Sequence, residues 1–273
     1  MSRWRWTLHH CYGSDRGSLK LRFCFYFVLS FLFACFSHAL DFHQRQSSYV
    51  IMSPQTQAMQ DDPTLNPATF WIMDGESLWA QKPSPQSPAC SECHGHVNTS
   101  MQGVAATFPK SVKGRLLNLG GQINQCRTAR QQQTAWPLES KALLSMSVLI
   151  ANQSKGMPII ANQQPEAQVA LKAGEALFKQ RMGHVNLSCA QCHDERYGMR
   201  LAGSTIPQAH PTGYPIYRLE WQTVGSLQRR LRNCMNAVRA QLFEPDAPEW
   251  LHLELYLMWR ARGMLIESPG VRP

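Results

Sequence analysis

Apolar positions along this chain recur at helical spacing, and they do so twice in the same order. Residues 75–94 read GESLWAQKPSPQSPACSECH and residues 174–193 read GEALFKQRMGHVNLSCAQCH. Each stretch has Gly-Glu-x-Leu-aromatic, ten further residues, and then Cys-x-x-Cys-His, so the chain is a tandem duplication. The pattern predicts a helix ahead of each cysteine pair. Gly75 and Gly174 inside those helices cost about 1 kcal/mol each relative to alanine, which predicts that another helix packs closely on them. Past the first pair, Val112, Leu116, Leu119, Ile123 and Cys126 step by 4, 3, 4 and 3. Past the second, Leu227, Leu231, Cys234, Val238 and Leu242 step by 4, 3, 4 and 4. Each series predicts an amphipathic helix with one cysteine on its buried stripe. Further helices are expected over 139–152 and 247–262, and residues 153–165, with Gly, Pro and amides, read as a linker. Runs of alternating β-type residues are absent. The expected architecture is mainly α: two tandem helical domains, 40–160 and 161–273, with long irregular loops.

The first 39 residues stand outside this scheme. Scattered Arg and Lys precede an apolar run from Leu21 to Phe36, and Ser37-His38-Ala39 follows, the pattern of a secretory signal peptide. The run is shorter than the ~20 residues that cross a bilayer. The formal net charge of +9 loses five basic residues and one acid with this segment, leaving 9 − 4 = +5. Basic residues are dispersed over the remainder with no sustained block, which does not suggest nucleic acid and is compatible with an anionic substrate or an acidic protein partner. Export places the chain in an oxidising compartment, where spare cysteines ordinarily form disulfides.

Nine cysteines are present, and Cys11, Cys24 and Cys35 fall in the signal segment. Six remain: Cys90, Cys93, Cys126, Cys189, Cys192 and Cys234. Cys-x-x-Cys-His in an exported chain is the attachment site of c-type haem. Two thiols one helical turn apart reach the two vinyl groups of one macrocycle, and the adjacent imidazole lies beneath the iron. A zinc site leaves the histidine after both pairs unexplained, and a thioredoxin-like dithiol needs a preceding strand. The domains are therefore cytochrome c-like and hold two covalent haem c groups. Cys90 and Cys93 tether the first over His94; Cys189 and Cys192 tether the second over His193.

Spacing alone leaves the sixth position on each iron open. Met101, Met146, Met157, Met199 and Met235, with His96, His184 and His210, are candidates of the ordinary kind. Cys126 and Cys234, one per repeat at equivalent places, are candidates as thiolates. Against them stand a disulfide between the two, which requires two separate cores to open, and a role as inert buried thiols. Arg230 lies one turn before Cys234 on the same side of its helix, and a cation there lowers a thiol pKa and holds an anion near the sulfur. The equivalent residue in the first repeat is Gln122, which predicts electron transfer at the first haem and chemistry at the second. Arg229 and Arg232 are expected on a solvated face.

Residues 213–241, GYPIYRLEWQTVGSLQRRLRNCMNAVRAQ, taken with the two haem motifs, resemble the SoxA family of the periplasmic thiosulfate-oxidising Sox system. The resemblance covers essentially all of the chain beyond the signal segment. It implies a subunit that pairs with SoxX, a small monohaem cytochrome c, and acts as an L-cysteine S-thiosulfotransferase. Such a pair joins thiosulfate oxidatively to a cysteine of the carrier SoxYZ, with electrons passing to a cytochrome c acceptor. It further implies that Cys234 is a haem ligand found as a persulfide, that Arg230 binds substrate, and that Cys126 ligates the first haem. A periplasmic dihaem electron carrier without sulfur transfer is the alternative. A dihaem peroxidase and a haem-binding scaffold are more distant readings.

Overall fold

Ser53, Asn118, Ser140, Ser188 and Ser226 each accept a hydrogen bond from a first-turn amide and so set where five of the described α-helices begin. The computed structural model describes residues 44–160 and 165–273; the expected signal segment, 1–39, and the end of the linker lie outside the described residues. In the first repeat, α1 (Pro54–Asp61) and α2 (Thr69–Ala80) precede the cysteine-pair helix α3 (Cys90–His94) and the short α4 (Val97–Ser100). A hairpin of β1 (Lys110–Val112) and β2 (Arg115–Leu117) leads into α5 (Leu119–Arg130), and α6 (Lys141–Asn152) closes the repeat. The second repeat runs α7 (Pro165–Lys179), α8 (Cys189–His193), a small hairpin of β3 (Arg200–Leu201) and β4 (Ser204–Thr205), then β5 (Ile216–Arg218) and β6 (Thr223–Gly225). It ends with α9 (Leu227–Ala237), α10 (Pro248–Arg260) and β7 (Gly270–Arg272). Among the described residues no helix is long and apolar enough to cross a membrane.

The repeats match helix for helix: α2 with α7, α3 with α8, α5 with α9, α6 with α10. In each, the first and last of these cross at the glycine singled out above. A Cβ on Gly75 would lie 2.5 Å from the Ser145 carbonyl oxygen of α6, and one on Gly174 would lie 2.0 Å from that of His252 on α10. Only hydrogen fits, so the helical cost of glycine is offset by close packing. Around these crossings sit two cores. Trp79, Met146, Leu149 and Ile150 fill the first; Phe178, Leu227, Leu253, Tyr256 and Leu257 fill the second.

Two sequence expectations are corrected. Val112 and Leu116 belong to a hairpin and not to the helix of Cys126, although they share its spacing. Lys113 and Gly114 both take positive φ, 50° and 77°, which makes the two-residue turn that pairs Val112 with Arg115. The helix starts only after Asn118, whose side chain accepts from the Gly121 amide at 2.8 Å. Likewise α9 stops at Ala237: Arg239 takes φ 54°, and Leu242 lies beyond the helix at the surface.

Strand structure also joins the repeats. β5 pairs antiparallel with β6 and parallel with β7, placing Tyr217 opposite Val224 and Val271. Those three pack on Ala68, Leu144 and Val148 of the first repeat in one buried cluster. The expected linker is held as well: Gly156 and Ile159 donate to the carbonyls of Ile266 and Met264, both at distances of 2.8–2.9 Å.

Candidate functional site

Each repeat encloses one large, mainly apolar cavity, and all nine residues singled out in the sequence line one or the other. Cys90, Cys93, His94 and Cys126 line the first, of about 240 Å³, together with Trp79, Gln122, Ile123, Met146 and Ile150. Cys189, Cys192, His193, Arg230 and Cys234 line the second, of about 210 Å³, together with Leu187, Ile206, Pro207, Leu231 and Met235. Cys126 and Cys234 thus face different cavities, and among the described residues all six cysteines are free thiols. That disposes of the disulfide between them. No group of three or more His, Cys, Asp or Glu among the described residues converges on a point, so the zinc reading has no ligand set.

The cysteine-pair helices are placed by their caps. Ser188 accepts from the Gln191 amide at 3.2 Å while the Gln191 side chain accepts from the Ser188 amide at 3.0 Å, a reciprocal capping box that fixes the start of α8. At the start of α3 a Glu92 carboxylate oxygen accepts from the Ala89 amide at 2.8 Å. One turn of helix then puts both sulfurs of a pair on the cavity wall.

The histidines are held in different ways. His193 Nδ1–H donates to the Pro207 carbonyl at 2.7 Å, which leaves the Nε2 lone pair free, the tautomer an axial ligand needs. Burial holds its pKa below the usual imidazole range; the Pro207 hydrogen bond opposes this, and the Arg230 charge adds to it. The imidazole is therefore neutral and able to bind a metal. His94 lies against Trp79, ring centroids 5.7 Å apart, and the Trp79 indole N–H donates to the Gly95 carbonyl at 3.0 Å. Pro207 carries no signature in the sequence, since its contact depends on a loop returning over the cavity.

Burial pushes the Cys189 thiol up to about 11, and the nearby Cys234 thiol adds to the shift. The Cys90 thiol is also raised by burial, against a hydrogen bond from Gln131. Neutral sulfur is favoured at both, as in a thioether, where no charge is buried. Apolar walls, paired sulfurs on one face and an imidazole with a free nitrogen fit a covalently held haem in each cavity.

The residue one turn before each lone cysteine distinguishes the cavities. Gln122 donates to Cys126 Sγ at 3.3 Å. Arg230 is half-buried on the second cavity wall, and no described residue hydrogen-bonds or ion-pairs with its guanidinium. The expectation of a solvated arginine face is corrected. Arg229 stacks on Trp221, 4.4 Å from the ring centre, and Arg232 reaches Glu139 at 3.6 Å. Positive charge is not confined to the second site either, because Lys110, Arg127 and Arg130 line the first. Arg127 is engaged, however, over Trp136 at 4.2 Å and with the Thr134 carbonyl at 2.8 Å. Of the other methionines and histidines considered, Met101 and Met146 reach the first cavity and Met235 the second. His210 is buried elsewhere, its Nδ1–H donating to the Gln46 carbonyl at 2.9 Å.

Comparison with known proteins agrees with this arrangement. The family model of the SoxA/TsdA cytochrome c domain matches twice, over residues 74–159 and 173–266. The L-cysteine S-thiosulfotransferase subunit SoxA of Rhodovulum sulfidophilum is 30% identical over 239 residues, covering 86% of this chain and 83% of that one. Its counterpart from Allochromatium vinosum is 30% identical over 208 residues, covering 74% of this chain and 72% of that one. The crystal structure of SoxXA from P. pantotrophus superposes with a TM-score of 0.81 at 27% identity, covering 84% of this chain and 87% of that one. Cytochrome c domains carry haem bound covalently through Cys-x-x-Cys-His. With two such domains in tandem along its sequence, this chain belongs to the SoxA/TsdA cytochrome c family.

Proposed function

We propose that this chain is the dihaem subunit of a periplasmic L-cysteine S-thiosulfotransferase. In this reading Cys90, Cys93, His94 and Cys126 would hold the first haem, and Cys189, Cys192, His193 and Cys234 would hold the second. The observation that carries it is the half-buried Arg230 guanidinium, without a protein partner among the described residues, on the same cavity wall as Cys234. A buried cation without a counter-charge is costly, and a dianion such as thiosulfate supplies the missing charge. The names of the curated relatives and the architecture shared with SoxXA support the same activity. A SoxX-like monohaem cytochrome c is then the partner, a SoxYZ-like protein the sulfur carrier, and a cytochrome c the electron acceptor. The signal-like opening supports the compartment.

The chemistry follows from these positions. Arg230 holds thiosulfate so that its outer sulfur meets Cys234 Sγ. The Cys234 thiolate and thiosulfate join through a new S–S bond, giving Cys234–S–S–SO₃⁻ with release of two electrons. Haem, when bound, supplies one-electron acceptance to that oxidation, and the electrons pass on to the cytochrome acceptor. The carrier's thiolate next attacks the sulfur bearing the sulfonate. The bond between that sulfur and Cys234 Sγ breaks, the Cys234 thiolate is restored, and the carrier leaves as carrier–S–S–SO₃⁻, its S-thiosulfonate. Atoms and charge balance over the cycle, with the carrier's thiol proton released to solvent.

The second reading, an electron carrier with thioether ligation, is favoured by Met235 on the wall of the second cavity. Cys234→Ser separates the two. Thiosulfate-dependent reduction of cytochrome c in the presence of carrier is expected to fall by at least about a hundredfold, as when a nucleophile is lost. Retained sulfur transfer in this variant would overturn the assignment.

A further inference from the structure

A third cavity, of about 110 Å³, lies between the repeats, and two helix starts and two carboxylates line it. Asn118 caps α5, the helix of Cys126. Ser226 caps α9, the helix of Arg230 and Cys234, its Oγ accepting from the Arg229 amide at 3.1 Å. Each cap is held in turn by an acid from the other repeat. Glu139, in the loop before α6, accepts from Ser226 Oγ and, at 3.3 Å, from the Ser226 amide. Glu254, on α10, accepts from Asn118 Nδ2 at 2.9 Å and from Gln228 Nε2, at the start of α9, at 3.2 Å.

These contacts are more than a tidy seam. A carboxylate at a helix N-terminus meets the positive end of the helix dipole, so Glu139 fixes both the cap rotamer and the direction of α9. Glu139 also keeps φ at 61°, a conformation that favours glycine and that an ordinary side chain holds at a cost of about 1–3 kcal/mol. Its contacts with Ser226 and Arg232 are what hold it there. Burial raises the Glu254 pKa against the two amide hydrogen bonds, and the Glu139 charge adds to the rise. Glu254 therefore feels the Glu139 charge across the cavity. A helix rises 1.5 Å per residue, so Arg230 and Cys234 sit about 6 and about 12 Å along the axis from Ser226. A tilt at the cap moves both residues, and misplacement by about 1 Å at a reacting centre costs up to a hundredfold in rate.

We propose that Glu139 and Glu254 are positioning residues through which the repeats support one another's haem sites. Glu139 of the first repeat sets the pose of the Arg230–Cys234 helix in the second. Glu254 of the second repeat ties the start of the Cys126 helix to that of α9. For its effect on turnover this rests on the function proposed above; its effect on the haem spectra does not.

The test uses the two-haem holoprotein. Its low-spin electron paramagnetic resonance signals are assigned from variants lacking either Cys90 and Cys93 or Cys189 and Cys192. Glu139→Gln, a change in the first repeat, is expected to shift the signal of the second haem and leave that of the first in place. It is also expected to raise KM for thiosulfate about tenfold. Glu254→Gln, touching both helix starts, is expected to shift both signals. Glu139→Asp keeps the charge one methylene short and gives a smaller shift in the same sense, and it serves where the glutamine variant does not fold. A Glu139→Gln protein whose first-haem signal moves, or whose second does not, overturns the proposal. If the unmodified holoprotein forms no thiosulfate conjugate, the proposed function fails while the crosswise pattern of signals still decides this inference.

Discussion

Replacing Gly174 by alanine tests whether the crossing of α7 and α10 is set by backbone contact or by helix propensity. By propensity alone the change should help, because alanine is favoured over glycine in a helix interior by about 1 kcal/mol. The structure reverses that sign. The new Cβ would lie 2.0 Å from the His252 carbonyl oxygen, 2.6 Å from its carbon and 2.8 Å from Tyr256 Cβ. Ordinary contact begins near 3.4 Å, so the helices must part by about 3.4 − 2.0 = 1.4 Å. Neither obstacle is a flexible side-chain tip that can swing away. Parting loosens Phe178 against Leu253, Tyr256 and Leu257, and a gap of even 0.5–1 Å forfeits about a quarter to a half of the dispersion well at each contact. Overpacking ordinarily costs about 1–3 kcal/mol or more, and a backbone obstacle places this case at the upper end. A net loss of about 2–3 kcal/mol is expected, or about 5–10 °C in Tm for a chain of this size.

Two companion substitutions make the argument a ranking. Gly75→Ala meets the Ser145 carbonyl oxygen at 2.5 Å and needs a displacement of only about 3.4 − 2.5 = 0.9 Å, so it should lose less. Gly120→Ala, near the start of α5, meets Leu143 Cδ2 at 3.7 Å, ordinary contact, and should be neutral or stabilising. Urea unfolding of the holoprotein, followed by far-ultraviolet circular dichroism, gives all three midpoints. A Gly174→Ala protein as stable as the parent, or Gly75→Ala below Gly174→Ala, would refute the account of the crossing.

Two further outcomes are expected. Burial lowers the His210 pKa from 6.5 to about 4, so the folded state keeps the ring neutral while the unfolded chain takes up a proton. The resulting stability is complete above about pH 6.5 and is lost as pH falls towards 4, amounting to about 3 kcal/mol; acid unfolding of His210→Gln should show a shallower limb over that window. Arg230→Gln should raise KM for thiosulfate about ten- to a hundredfold, the value of about 1.5–3 kcal/mol for a charged hydrogen bond, and Arg230→Lys should recover part of it in steady-state kinetics.

What the sequence disclosed was what is local and what is repeated. The cysteine pairs, the lone cysteines and the two packing glycines lie within one or two turns of their signals, and each occurs twice. The hairpin at 110–117 escaped because Val112 and Leu116 also stand four apart, so a helical period masked a Lys-Gly turn. The sheet of β5, β6 and β7 escaped for another reason: Tyr217 and Val271 pair across more than fifty residues, and three-residue strands carry no period. The seam between repeats was equally invisible. Glu139 is 87 residues from Ser226 and Glu254 is 136 from Asn118, and neither acid belongs to a motif. Arg229 and Arg232 look like a solvated face in the sequence because Trp221 and Glu139 are brought to them only by folding.

Duplication gave both repeats the same fold and the same sulfur on the same helix, so the difference between the sites must come from few positions. The place one turn before the lone cysteine is the one that differs in kind. In the first cavity a neutral amide donates to Cys126 Sγ at 3.3 Å, while Arg127 is committed to Trp136 and Thr134. In the second cavity a guanidinium stands at that place and lies close enough to His193 and Tyr214 to perturb both. A hydrogen bond from an amide tunes a sulfur without attracting an anion, whereas an uncompensated cation brings one to it. The same scaffold therefore presents one lone sulfur beside a neutral amide and the other on a wall that carries a guanidinium unpaired among the described residues.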